Sequence, residues 1–203
     1  MPKVGMEPIR QQQYIEATLE TIHDEGLHAT TLSKVARRAG TSTGLVAHYF
    51  RDKSGLLEAT FRHLARELGR EYRRQLVRAQ TPLERALALI EANFAESQAR
   101  PAIVSGWLSF WSQVNHRPEL ARVQRVVASR LRSNLLHDLR HLLPLEDAVH
   151  VATGLPVLID GLWLRATLTT GGVSFPEARE LARDYLMTQL AVREKEAPHD
   201  RTA

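Results

Sequence analysis

Residues 30–49 read Thr-Thr-Leu-Ser-Lys-Val-Ala-Arg-Arg-Ala-Gly-Thr-Ser-Thr-Gly-Leu-Val-Ala-His-Tyr, and few folds accommodate that spacing. Ala36 is small enough to let two helices approach closely. Gly40, four residues on, ends the first helix in a left-handed conformation that costs glycine little. Val46, ten residues after Ala36, packs the second helix back onto the first. Val35, Ala39 and Tyr49 are expected to complete a small inner core. Thr31 and Ser42 stand where each helix needs an N-cap. The alanine–glycine–valine spacing alone is a weak signal. With both caps and both apolar stripes in phase it specifies a helix-turn-helix.

The rest of the chain keeps helical periodicity, so the predicted class is all-α with about nine helices. A first helix over about 9–26 carries Ile15, Leu19 and Ile22 and stops at Gly26. The motif helices follow at about 31–39 and 43–49, and Asp52 is a candidate cap for a long helix over about 54–80. Thr81-Pro82 opens a helix over about 82–98, and Arg100-Pro101 separates it from one over about 102–114. Further helices are expected over about 118–142, 146–170 and 175–193, with a kink at Pro156 and a frayed polar tail after Glu194. There is no strand alternation, internal repeat or low-complexity tract. The functional boundary falls at Ser54, which divides the chain into residues 1–53 and 54–203.

Composition removes several function classes. The 203 residues include no cysteine, so disulfides and thiolate metal sites are excluded. The N-terminus lacks the apolar core of a signal peptide. No apolar run reaches the roughly 18–20 residues of a membrane helix, because Asp160 and Arg165 interrupt the longest one. A cytoplasmic protein without membrane contact is expected. No nucleophile elbow, phosphate-cradling glycine loop or metal constellation is present, so neither an enzyme, a cofactor nor a metal is predicted. His137 and His141 lie four apart with His150 nearby, and they read as a solvated or capping pair rather than as zinc ligands. The net charge is +4, and Arg51, Lys53, Arg62, Arg66, Arg70, Arg73, Arg74 and Arg78 crowd the segment after the motif.

In a helix-turn-helix the second helix of the motif enters the DNA major groove, with its early residues facing base edges. That makes Thr43, Gly44, Leu45, Ala47 and His48 outward candidates, with Thr31, Thr41, Ser42 and Tyr49 beside them. Thr43 suits a base or phosphate hydrogen bond, Leu45 or Ala47 a thymine methyl, and His48 a guanine or phosphate. Gly44 permits close approach. Lys53 and the free N–H groups at the start of the long helix suit phosphate.

Downstream, all three tryptophans lie past residue 100. Trp107 and Trp111 share one helix face, and Phe94 is a candidate neighbour. Asp160 precedes Trp163 by three residues on an otherwise apolar helix. Aromatic faces plus one carboxylate suit a quaternary ammonium, which ring quadrupoles and a counter-charge hold without hydrogen bonds. The same residues also read as ordinary core, and Asp160 as a partner for Arg165.

The first helix, the motif and Val46-Ala47-His48-Tyr49-Phe50-Arg51-Asp52-Lys53-Ser54-Gly55-Leu56-Leu57 together resemble the TetR family of transcriptional repressors. Residues 1–10 and the C-terminal half are similar to its choline-responsive branch, which controls glycine betaine synthesis genes. The resemblance implies a helical homodimer, double-stranded palindromic operator DNA and an inducer, choline. The last two helices carry Val149, Leu155, Leu158, Ile159, Leu162, Leu181, Tyr185, Leu186 and Leu190, in stripes wide enough to bury against more than one neighbour. They read either as internal core or, as the resemblance implies, as a face that pairs with its symmetry copy. Another cationic or hydrophobic small molecule stays open as the effector.

Overall fold

Two hydroxyls set the geometry of the motif. Thr31 Oγ1 accepts from the Lys34 N–H at 3.3 Å and begins α2 (Leu32–Arg38). Ser42 Oγ accepts from the Leu45 N–H at 3.3 Å and begins α3 (Thr43–Phe50). Gly40 lies between them with φ of 65°, the left-handed conformation the spacing demanded. The computed structural model describes residues 6–169 and 171–196. Among these it holds nine α-helices, a short 3₁₀ turn and no strand. The frayed tail expected after Glu194 begins no earlier than Glu196, where the last helix ends. Residues 197–203, and residues 1–5 with their resemblance, lie outside the described residues.

Helix α1 (Met6–Ala29) breaks at Gly26, where φ is 80° and ψ is 160°. Helix α4 (Lys53–Leu76) opens with the Asp52 carboxylate accepting from the Gly55 N–H at 2.9 Å. It ends four residues earlier than the periodicity predicted. Helix α5 (Pro82–Asn93) begins with a full capping box between Thr81 and Glu84. It also stops early, because the Asn93 amide turns back onto the Leu89 carbonyl at 2.8 Å and competes with the helix ladder. A 3₁₀ turn, Glu96–Gln98, fills the gap before α6 (Pro101–Val114). Then come α7 (Pro118–Leu139), α8 (Leu145–Leu168) and α9 (Phe175–Glu196). Helix α8 runs through Pro156 as one helix.

The chain divides into two compact units. The first joins the residues up to Glu67 with Ala99–Arg125, and the second joins Leu68–Gln98 with the residues from Val126 onward. In the first unit, α6 lies directly on α1. A Cβ at Gly106 would sit 2.7 Å from Leu19 Cδ2 and 3.0 Å from Leu64 Cδ1. Leu19, Leu56, Leu57, Phe61, Leu64 and Phe110 form its buried centre. The inner core of the motif differs in part from expectation. Val35, Ala36 and Val46 are buried, but Ala39 and Tyr49 are only half-buried. The inward face of α3 is the 46/50 pair at helical spacing, so Phe50 and α1's Tyr14 take the places expected for Ala39 and Tyr49.

In the second unit, α8 and α9 face each other through Ala148, Val151, Ala152, Leu155 and Ile159 on one side and Ala178, Ala182 and Leu186 on the other. Helix α8 corrects one expectation. Despite Asp160 and Arg165 it is long and apolar enough, with mean hydropathy 1.3 over its most apolar window, to match a membrane span by composition. One stripe of it, including Ala148, Val151, Ala152, Leu155, Ile159 and Trp163, is buried, while 28% of the apolar window as a whole is buried.

Candidate DNA-reading surface and effector site

On α3, Thr43, Gly44 and His48 are exposed, while Leu45, Ala47 and Tyr49 are half-buried. No heavy atom lies within 4 Å of a Cβ built at Gly44, so this face is open to another molecule. The Thr31 and Ser42 hydroxyls already accept helix N–H groups, which leaves their own protons free to point outward. Thr41 is half-buried and takes the Tyr14 phenol on its Oγ1 at 3.5 Å, which fastens the turn to α1. Tyr49 packs among Tyr14, His48 and Phe50 with ring centroids 5.5–6.4 Å away. Two ion pairs, Lys34 with Glu25 at 2.5 Å and Arg38 with Asp24 at 2.6 Å, tie α2 to the end of α1. Lys34 holds the Glu25 carboxyl below its ordinary value.

Lys53 makes contacts within the protein that its residue type did not announce. Its ammonium donates to the Leu27 and His28 carbonyl oxygens at 3.0 and 3.1 Å and caps the end of α1. Burial lowers its pKa. Two of its three donors are thus engaged within the protein, which leaves the third for another acceptor.

The corner between α3 and α4 is strained. Arg51 has φ of 65° and ψ of −60°, and the Asp52 N–H donates to the Phe50 carbonyl at 2.8 Å across it. This is the γ-turn that non-glycine residues rarely adopt, at a cost of about 1–3 kcal/mol. A side chain at Gly55 would collide with the same Phe50 carbonyl, so the corner also requires glycine there. Sequence reasoning missed Arg51's conformation, since nothing in its type announces it.

The five predicted effector residues fall into two groups. In the first unit Trp107 is buried and Trp111 half-buried, their ring centroids 6.0 Å apart. Trp107 also packs edge-on to Phe110. In the second unit Phe94 and Trp163 are buried and meet through Phe175, at 6.1 and 5.8 Å, both edge-to-face. Phe175 was not predicted. Its signal was indirect: it begins α9 inside the capping box that Ser174 makes with Glu177. Asp160 retains an accessible surface, yet the chain around it withdraws enough water to push its carboxyl up to about 6. An open groove of about 710 Å³ lies along the start of α9, walled by Glu177, Glu180, Leu181 and Asp184. None of the five predicted residues is among its described walls.

Comparison with known proteins accounts for both halves. Residues 15–60 match the family described as bacterial regulatory proteins, tetR family. Residues 82–191 match the BetI-type transcriptional repressor C-terminal family. The chain is 46% identical over 201 residues to the HTH-type transcriptional regulator BetI 1 of Chromohalobacter salexigens, covering 98% of this chain and 100% of the relative. It is 48% identical over 192 residues to BetI of Burkholderia cenocepacia, covering 94% and 99%. Among solved structures, a transcriptional regulator from Pseudomonas aeruginosa PAO1 superposes with a TM-score of 0.80 at 25% identity, covering 94% of this chain and 95% of that one. A regulator from Saccharomonospora viridis, crystallised in complex with choline, shares the fold with a TM-score of 0.79 at 20% identity, covering 89% and 96%. With a capped helix-turn-helix at one end and a BetI-type region over most of the remainder, this chain belongs to the TetR family as a BetI-type transcriptional repressor.

Proposed function

We propose that this repressor controls choline-to-glycine-betaine genes and is relieved by choline. The observation that carries the reading is the BetI-type match over residues 82–191, which contains Phe94, Trp107, Trp111, Asp160 and Trp163. These residue types suit a quaternary ammonium. Each cation–π contact contributes roughly 0.5–2 kcal/mol, and one carboxylate balances the charge. The choline complex of the Saccharomonospora viridis regulator supports the same ligand chemistry.

On this reading residues 1–53 read DNA and residues 54–203 bind effector and dimerise. Thr31, Thr41, Ser42, Thr43, Gly44, Leu45, Ala47, His48, Tyr49 and Lys53 face one half of a palindromic operator in the cytoplasm. A homodimer is supported by apolar side chains left uncovered on α8 and α9: Val157 is 70% exposed, Leu168 65% and Leu181 47%. Such a face is usually an interface. Choline favours a conformation whose two reading heads no longer match half-sites about 34–36 Å apart, and the bound population falls. The test is a mobility shift with DNA from the gene's own upstream region. Choline is expected to weaken the complex more than unrelated cations do, and a shift indifferent to choline refutes the inducer assignment.

A further inference from the structure

The last two turns of α4 lie in the second unit, and buried acids hold them. Glu71 is 6% exposed. Its carboxylate pairs with Arg74 and accepts from Gln75 Nε2 at 2.9 Å and from Ser97 Oγ at 3.3 Å. Arg74 and Gln75 lie on α4 itself, so they balance the charge without fixing where the helix sits. Ser97 comes from the 3₁₀ turn, 26 residues on. The next residue, Tyr72, is desolvated and feels the Asp138 carboxylate, both of which raise its phenol. Asp138 is itself buried and held by Arg85 at 2.8 Å.

The same 3₁₀ turn runs directly into α6, the helix of Trp107 and Trp111. Between them Arg100 lies 4.0 Å from Glu16 and 3.9 Å from Glu20 on α1. Residues 96–101 therefore carry one polar tie to the end of α4 and another to the first helix. A third observation is independent of both. Gly69 interrupts α4 just before Glu71, and a Cβ there would meet only Arg73 Nη1 at 3.8 Å. No packing demands glycine at this point, yet glycine weakens a helix interior relative to alanine.

We infer that the Ser97–Glu71 hydrogen bond is the tie by which the 3₁₀ turn before α6 sets the position of α4, making both residues positioning residues for the inducer response. This rests on the choline reading above. The tie joins two elements through one neutral donor on a buried acid, so it can be exchanged without leaving the charge unpaired. The compliant point at Gly69 lets the end of α4 follow it.

Ser97→Ala removes the tie and leaves Glu71 its partners on α4. In mobility shifts with and without choline, operator affinity in the absence of choline is expected to stay within about threefold of wild type. The factor by which choline weakens binding is expected to fall at least about fivefold, the lower end of ordinary coupling. Ser97→Thr, which keeps the hydroxyl, is expected to retain the response. A responsive wild type with an equally responsive Ser97→Ala overturns the tie alone. Loss of operator binding by Ser97→Ala without choline overturns it as well, because the residue is then merely structural. A wild type indifferent to choline overturns both the tie and the choline reading.

Discussion

The two packing units differ in the polar groups they bury, chiefly threonine hydroxyls in the first and acids in the second. In the first unit, buried hydroxyls close on their own helices. Thr18 donates to the Tyr14 carbonyl, Thr21 to Ala17 and Thr60 to Leu56, each four residues back at 2.7–2.8 Å. Those helices are joined by apolar contact, as where Gly106 admits Leu19 and Leu64, and by polar ties nearer the surface, as where Arg117 donates to Ser54 Oγ at 2.6 Å across 63 residues. In the second unit, buried or half-buried acids depend on partners far along the chain. Arg85 meets Asp138 across 53 residues and Arg183 meets Glu91 across 92. Apolar packing at protein density is stiff and non-directional. Hydrogen bonds to buried charges are directional and exchange between discrete partners. A reading head must present one shape to DNA, while an effector region needs two arrangements of similar energy. The first unit holds the motif but also Trp107 and Trp111, so the contrast runs through the proposed effector region as well as between it and the motif.

The sharpest way to break the comparison is at the uncovered apolar face. If this face is the two-fold interface proposed above, Val157→Asp places an unpaired charge in it twice, and each buried unpaired charge costs about 3–5 kcal/mol. Sedimentation is expected to show monomers and operator affinity to fall about 100-fold or more. An unchanged dimer would remove this face from the interface. A smaller effect is expected in the head. Gly40→Ala meets no neighbour within 4 Å, so its whole cost is the left-handed backbone, about 1–2 kcal/mol in chemical denaturation. A neutral result would show that the turn relaxes more readily than its packing implies.

The smallest effect tests the second unit through pH. Asp160 titrates higher in the folded chain, at about 6, than its ordinary value of 3.8. The folded state thus binds the extra proton, and this group's contribution to stability falls as pH rises from about 4 to about 6, then levels off. Asp160→Asn is expected to flatten that window and to stabilise the fold at pH 7.5. Water still reaches the side chain, so the gain is below about 1 kcal/mol. If the carboxylate balances choline, the same substitution weakens choline binding in calorimetry, and wild-type affinity falls below pH 6. Equal choline affinity in both proteins would leave Asp160 no part in binding.

The chemistry of the two units also governs how much of each was legible. Thr31, Gly40 and Ser42 act within four residues of themselves, and their caps and left-handed turn stand where the spacing put them. Helix ends at Leu76 and Asn93 were misplaced because apolar periodicity continues past them, where backbone turn bonds from Arg78 and Ala79 and the Asn93 amide take over the carbonyls. Tyr49 was assigned to the core by type, while the pitch of α3 turned Phe50 inward instead.

Sequence by itself determined the helical class, the reading motif and its caps, and the family resemblance, because helix periodicity and capping are short-range physics. Only the tertiary structure decided that Lys53 caps α1, that Phe175 joins Phe94 to Trp163, and that Ser97 reaches Glu71. Those contacts span from 12 to 81 residues along the chain. They depend on how whole helices pack, and no local preference of the residues involved encodes that.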